Sequence, residues 1–235
     1  MNTCYALGVA HATIYAFSIE NFNRSQLEID TLFGLLRDKL QMMSKKDSPL
    51  TKNKQIKIRI VGNRDMLPAD ILADLEEIEK TTNKPTAEKV LNVCFPYTSR
   101  DDITHSIKRT AQKLANKEID AKENINLRTL NSNMYMGEDT PPLDILIRTS
   151  GYNRLSDFML WQCNSNCMIE FVSTLWPDFK FLSTVAVIMK WSYYETLRKE
   201  ETKLSRKAEK EKPKLTSIDL KSLKTPPPLA SVTHR

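Results

Sequence analysis

LDILIRTSGYNRLSDFMLWQ, residues 143 to 162, opens as an apolar run and then breaks into a polar loop carrying Arg148, Thr149, Ser150, Gly151 and Arg154. LDILI is short and almost continuously apolar, as a strand covered on both faces is. The second arginine follows the first six residues later, two positions before Ser156. Neighbouring guanidinium groups repel unless an anion of more than one charge lies between them, and each offers paired donors to phosphate oxygens. The stretch reads as a strand discharging into a diphosphate cradle, with Ser156 opening a helix over 155–163 whose first-turn amides hold a further phosphate oxygen. A solvated loop with an N-capping serine uses the same residues, so the stretch alone leaves both readings open.

Working outward, the segments 12–17, 56–61, 89–95, 143–149 and 167–172 read as strands, and 25–44, 68–82, 100–118, 155–163 and 181–200 carry helical spacing of Leu, Ile and Met. Such alternation predicts an α/β fold, a mostly parallel sheet flanked by helices, with ligands beyond the carboxyl ends of the strands. Three of those ends carry polar residues: Ser18 to Arg24, Tyr97 to Asp101, and Arg148 to Ser156. Tyr5, Tyr15, Phe17, Trp161, Trp176 and Trp191 are expected in the core. Asp101 and Asp102 suit the first turn of a helix, with Arg100 as a surface partner.

The chain has 235 residues, 40% hydrophobic and 27% charged, which is enough for one substantial core. From Glu201 onward nine Lys and Arg face four acids, which accounts for five of the six net positive charges. The folded part is close to neutral, so no nucleic-acid partner is expected. Cys4, Cys94, Cys163 and Cys167 form no CxxC pair and the three histidines are scattered, which argues against zinc and for free thiols. No apolar run reaches the ~20 residues of a membrane span, and the N-terminus lacks the basic-then-apolar form of a signal peptide, so the expected surroundings are cytosolic. Five glycines and no GxGxxG turn argue against a nucleotide-dependent oxidoreductase.

YAFSIENFNRS (15–25), LNVCFPYTSRDDI (91–103), and RTSGYNRLSDFMLWQ followed by IEF and LWPDF resemble, in order, the signatures of the cis-prenyltransferase family, which includes the undecaprenyl and dehydrodolichyl diphosphate synthases. The wording is closest to the fungal-like dehydrodolichyl branch. The resemblance covers about residues 4 to 195 and implies condensation of isopentenyl diphosphate onto an allylic diphosphate such as farnesyl diphosphate, each new double bond being cis. It places Arg148, Arg154 and Ser156 on the diphosphate of isopentenyl diphosphate. Ser18 and Asn21 fall where the reacting groups are positioned, and Arg24 is directed at the allylic diphosphate. Glu170 corresponds to an acid associated with Mg2+ and with the subunit interface. Leu32, Phe33, Leu36, Leu40, Met42 and Met43 become candidates for the wall of an apolar product tunnel, although such a stripe equally suits ordinary core.

The departures from the family pattern carry expectations of their own. Relatives open with a strand ending in an Asp-Gly-Asn-Arg-Arg-like loop that supplies the magnesium aspartate. CYALGVAHATIYAF matches instead the end of the next helix and the strand after it, so roughly the first 60 residues of a typical member have no counterpart here. The chain alone is therefore expected to be inactive. Noncatalytic members usually lose the arginines retained here, which favours a catalytic subunit over a noncatalytic or inactive one. The Arg-x-Gly tail of other members is absent, which implies a noncatalytic partner subunit, or else a homodimer. Residues 1–200 are expected to form the prenyltransferase domain and 201–235 a basic, proline-containing tail, disordered from Lys203. A polyprenyl product implies peripheral attachment to endoplasmic reticulum or lipid droplets.

Overall fold

Ile56, Ile58 and Ile60 alternate with Lys57 and Arg59, and that alternation decides how this edge strand packs. The computed structural model describes residues 2–44, 56–120, 125–138 and 140–211. Strands β1 (His11–Tyr15), β2 (Ile56–Val61) and β3 (Lys89–Cys94) form a parallel sheet in the order β1-β3-β2. The register sets Ile58 beside Leu91 and Ile60 beside Val93, so one face is apolar. The other carries Thr13, Asn92 and Arg59 in one row. Strands β4 (Ile145–Arg148) and β5 (Met168–Phe171) pair in parallel as a second sheet. All three pairings are parallel, as the sequence predicts, but among the described residues the five strands divide between two sheets.

Helices α2 (Gln26–Ser44) and α3 (Ala69–Thr82) belong to the apolar side, α1 (Asn2–Ala6) preceding β1. On α3, Ile71, Leu75, Ile78 and Thr82 recur every three to four residues and are buried, a single helical face. Ile29, Phe33 and Leu40 do the same on α2, and Phe17, Phe33 and Phe95 meet with ring centroids 5.1 to 5.2 Å apart. Burial of a side chain such as Leu75, 1% exposed, contributes about 1.5–3 kcal/mol. The apolar stripe offered as a tunnel wall divides as follows among the described residues. Phe33 and Leu40 are core, Leu32 and Leu36 pack against it, and Met42 is exposed; the Met43 side chain lies outside the described residues.

A second cluster joins the sheets: Val61, Cys94 and Tyr97 pack with Met136, Leu146 and Met159. Helix α4 (Ser99–Ala115) starts at the capping residue Thr98, and the short α5 (Leu127–Ser132) follows it. Between β2 and α3, Gly62 adopts a φ of +145°, and a Cβ there would stand 2.0 Å from the Pro96 carbonyl oxygen, so only glycine fits.

Two further expectations fail. No helix forms over 155–163, because Ser156, Asp157 and Met159 have φ values of 50°, 57° and 53°, outside the α-helical region. The apolar residues that mimic a helical period there, Leu155, Phe158 and Met159, are anchors of an irregular loop in the second cluster. Conversely, α6 runs Phe181–Glu211, so residues 203–211 are helical, and only 212–235 of the expected disordered tail lie outside the described residues.

The chain divides into two compact units, Met1–Trp191 and Ser192–Arg235. The first holds both sheets. The second, within the described residues, is the continuation of α6, where Arg198 and Lys199 pair with Glu195. Among the described residues no helix is long and apolar enough to cross a membrane.

Candidate diphosphate-binding rim

At the end of β1 the chain turns through a 3₁₀ helix, Ile19–Asn23, whose reciprocal cap consists of two candidate residues. Ser18 Oγ accepts from the Glu20 amide at 3.2 Å, and Asn21 Oδ1 accepts from the Ser18 amide at 2.8 Å. The cap fixes both side chains and leaves the Asn21 Nδ2 group as a donor. Ser18 also bridges to Tyr97 in parallel, which carries the β1–β3 pairing past the strand ends. Arg24 closes the turn, its guanidinium 3.7 Å from Glu28 with both side chains about half exposed.

Arg148 ends β4, half-buried, and its Nε is buried without a hydrogen-bond partner. An unmet buried donor on a cation is costly. Arg154 is exposed and lies over the Tyr152 ring at 4.6 Å from the centroid. Ser156 caps no helix. It lies exposed in the left-handed loop, and its carbonyl accepts from the Tyr15 hydroxyl at 3.4 Å. That hydroxyl also reaches the Tyr97 carbonyl at 3.1 Å, and the Tyr15 ring stacks on Phe158 at 4.5 Å. Tyr15, half-buried at the rim, thus ties the exits of β1 and β3 to the loop of Arg154 and Ser156. Its pKa is raised, chiefly by burial, which keeps the hydroxyl protonated as a donor.

Glu170 is not brought into this group. It pairs in register with Ile147, so its side chain leaves the face opposite to that of Arg148. There it accepts from Lys190 Nζ at 2.7 Å. Among the described residues no group of three or more His, Cys, Asp or Glu could hold a metal ion. Trp176, expected in the core, is 61% exposed. The four cysteines are free thiols.

Residues not marked as site candidates hold the rim together. Asp102 is 1% exposed and accepts from the Tyr135 amide at 2.8 Å, the Tyr97 hydroxyl at 3.1 Å and Gln162 Nε2 at 3.2 Å. Burial raises its pKa, and the three donors oppose that shift. Arg100 reaches both Asp157 and Glu20 at 2.8 Å. Its position beside two helix-starting acids gave a sequence signal for a surface partner only; Asp157 gave none, because its left-handed φ is not written in helical spacing.

Arginines, hydroxyls and an amide at the carboxyl ends of parallel strands give this α/β protein a donor set of the kind that suits anionic phosphate esters. The chain belongs to the cis-prenyltransferases: residues 1–198 match the family model Prenyltransf, that of undecaprenyl diphosphate synthase. It is 40% identical over 98% of its length to the dehydrodolichyl diphosphate synthase complex subunit SRT1 of Saccharomyces cerevisiae, covering 68% of that protein. It is 37% identical over 80% of its length to the corresponding complex subunit DHDDS of Homo sapiens, of which it spans 55%. The crystal structure of lavandulyl diphosphate synthase from Lavandula x intermedia with dimethylallyl diphosphate superposes with a TM-score of 0.74 at 26% identity, covering 81% of this chain and 79% of that one.

Proposed function

We propose that the chain is the catalytic-type subunit of a dehydrodolichyl diphosphate synthase, which condenses isopentenyl diphosphate onto farnesyl diphosphate in cis. Arg148, Arg154 and Ser156 hold the diphosphate of isopentenyl diphosphate, Ser18 and Asn21 position the reacting ends, and Arg24 faces the allylic diphosphate. The unpartnered buried Nε of Arg148 carries this reading, because an anion at the end of β4 supplies the acceptor the protein does not. The related lavandulyl diphosphate synthase binds dimethylallyl diphosphate, an allylic diphosphate, which supports the same ligand class. In the reaction the allylic C–O bond breaks as diphosphate leaves, a carbon–carbon bond forms to the isopentenyl unit, and that unit loses a proton. Fixed guanidinium groups stabilise the negative charge on the departing diphosphate. Magnesium is expected from the family resemblance; held by a carboxylate such as Glu170 together with substrate phosphate oxygens, it would help neutralise the departing diphosphate. The partner is a noncatalytic subunit of the same family, a reading supported by relatives that are themselves complex subunits. The water-insoluble product favours peripheral attachment to endoplasmic reticulum or lipid droplets.

Binding of each diphosphate, measured by titration calorimetry, tests the assignment without requiring turnover. Each charge-assisted bond is worth about 1.5–3 kcal/mol, so Arg148→Ala and Arg154→Ala should each weaken isopentenyl diphosphate by tenfold or more and leave farnesyl diphosphate nearly unchanged. Ser156→Ala should cost less, and Arg24→Ala should show the reverse preference. Arginine variants that lose both ligands equally, with a lowered Tm, would overturn the assignment in favour of local loop packing.

A further inference from the structure

We propose that Arg100 is a positioning residue that straps the loop after β1 to the loop after β4, fixing the separation of the two diphosphate subsites and coupling their occupancy. The inference rests on the functional reading above. Its geometry is independent of that reading.

Arg100 stands in the first turn of α4 and uses two arms of its guanidinium on different loops. Nε donates to Asp157 Oδ2 at 2.8 Å, and a terminal nitrogen donates to Glu20 Oε1 at 2.8 Å. Glu20 lies between Ser18 and Asn21 in the reciprocal cap, and Asp157 follows Ser156. Each acid is therefore the neighbour of a candidate ligand-binding residue. Asp157 is held on more than one side: its Oδ1 accepts from the Arg100 amide at 3.2 Å, and its carbonyl accepts from the Ser99 amide at 2.8 Å. Ser99 Oγ in turn accepts from the Leu160 amide at 2.9 Å. The start of α4 thus grips the left-handed turn through four hydrogen bonds, which offset the strain of its positive φ angles.

The Asp157 side chain is only 12% exposed, whereas Glu20 and Arg100 are 59% and 74% exposed. The link to Asp157 is consequently the firm end, and the link to Glu20 is the solvent-screened one. An arginine spent on two protein acids is not a diphosphate ligand, which separates Arg100 from Arg24, Arg148 and Arg154 on the same rim. The chemistry also specifies arginine. A lysine ammonium is a single point charge and cannot present two divergent arms of a planar fork to carboxylates on separate loops.

Two measurements on the full chain test the strap, with Arg100→Met, Arg100→Lys and Glu20→Gln as variants. In hydrogen–deuterium exchange, Arg100→Met should speed exchange several-fold in both the 18–24 and 152–163 segments with Tm unchanged, and Glu20→Gln should affect chiefly 18–24. Exchange unaltered in either segment by Arg100→Met, or raised uniformly along α4, would overturn the proposal. In titrations, each diphosphate alone should weaken by no more than about fivefold, the ceiling for an exposed ion pair. The change in isopentenyl diphosphate affinity caused by prior farnesyl diphosphate should disappear in Arg100→Met and Arg100→Lys. Substrate coupling retained in both, or fully rescued by lysine, would also overturn it. A wild-type chain that binds neither diphosphate would instead refute the functional reading, and the exchange experiment would still decide the strap.

Discussion

Asp102 illustrates at the scale of one residue how a sequence reading and a structure diverge. In the sequence it is one of two adjacent acids at a helix start. In the fold it is a buried carboxylate receiving donors from the segment after β3, from the chain before β4 and from the loop beyond Ser156, through Tyr97, Tyr135 and Gln162. Its folded pKa is raised by burial, so its contribution to stability is fully present below the ordinary carboxylate pKa and is lost as pH rises through the raised value. Asp102→Asn removes that titration, and an amide flip would let the new Nδ2 donate to Gln162 Oε1, which is now buried without a partner. The Tm of Asp102→Asn relative to wild type should therefore climb as pH rises above the carboxylate range. A difference in Tm that stays flat with pH would show that the carboxyl titrates normally. Asp102→Ala strands all three donors and should cost more than about 2 kcal/mol at every pH. The arginines of the rim were legible because strand-end cations have a chemistry of their own. Asp102, Asp157 and Tyr15 were not, since each has partners that lie 33 to 141 residues away in sequence.

At the scale of elements, short apolar runs and helical spacing located all five strands and four of the five helices read from the sequence, with shifted ends. The apparent helix over 155–163 failed because spacing reports burial, and a left-handed loop can bury Leu155, Phe158 and Met159 at the same intervals. The edge of the sheet shows a device that no pattern announces. Strand β2 lies outermost in β1-β3-β2, so alternate amides face away from β3. Helix α3 satisfies two of them with side chains: the Thr82 hydroxyl accepts from the Ile58 amide at 3.1 Å, and Glu79 Oε1 accepts from the Ile60 amide at 2.6 Å. Glu79 also receives Arg64 at 3.0 Å, which holds its carboxylate in place. Thr82→Val keeps the shape and removes the acceptor, so unfolding in urea should show a loss of about 1–3 kcal/mol. Glu79→Gln should cost less, because its amide oxygen still accepts from Ile60. If Thr82→Val were neutral, the edge amide would have to be served by water, and the side-chain cover of β2 would contribute nothing.

At the scale of the whole molecule, the family resemblance anticipated a subunit, while composition gave no location for a contact surface. The structure offers one within the first unit. Between Ile169 and Leu182, six large apolar side chains are exposed: Ile169, Phe171, Leu175, Trp176, Phe181 and Leu182, with Trp176 and Leu182 at 61% and 78%. Scattered apolar residues on a surface need no explanation, but a run on one strand, the turn after it and the next helix start is the composition of an interface. The ion pair of Glu170 with Lys190 links β5 to α6 and so holds this surface to its strand. The occupant expected is the noncatalytic family subunit, with which Phe171→Asp and Trp176→Asp should each abolish co-elution in size-exclusion chromatography with light scattering. With Trp176 at 61% exposure, the isolated Trp176→Asp chain should keep its circular dichroism spectrum and change in stability by no more than about 0.5 kcal/mol, whereas Phe171, only 40% exposed on β5, should cost more. Self-association of the chain that the same substitutions abolish would make a second copy the occupant and refute the heteromeric reading. Complex formation that survives both substitutions would show that the partner binds elsewhere.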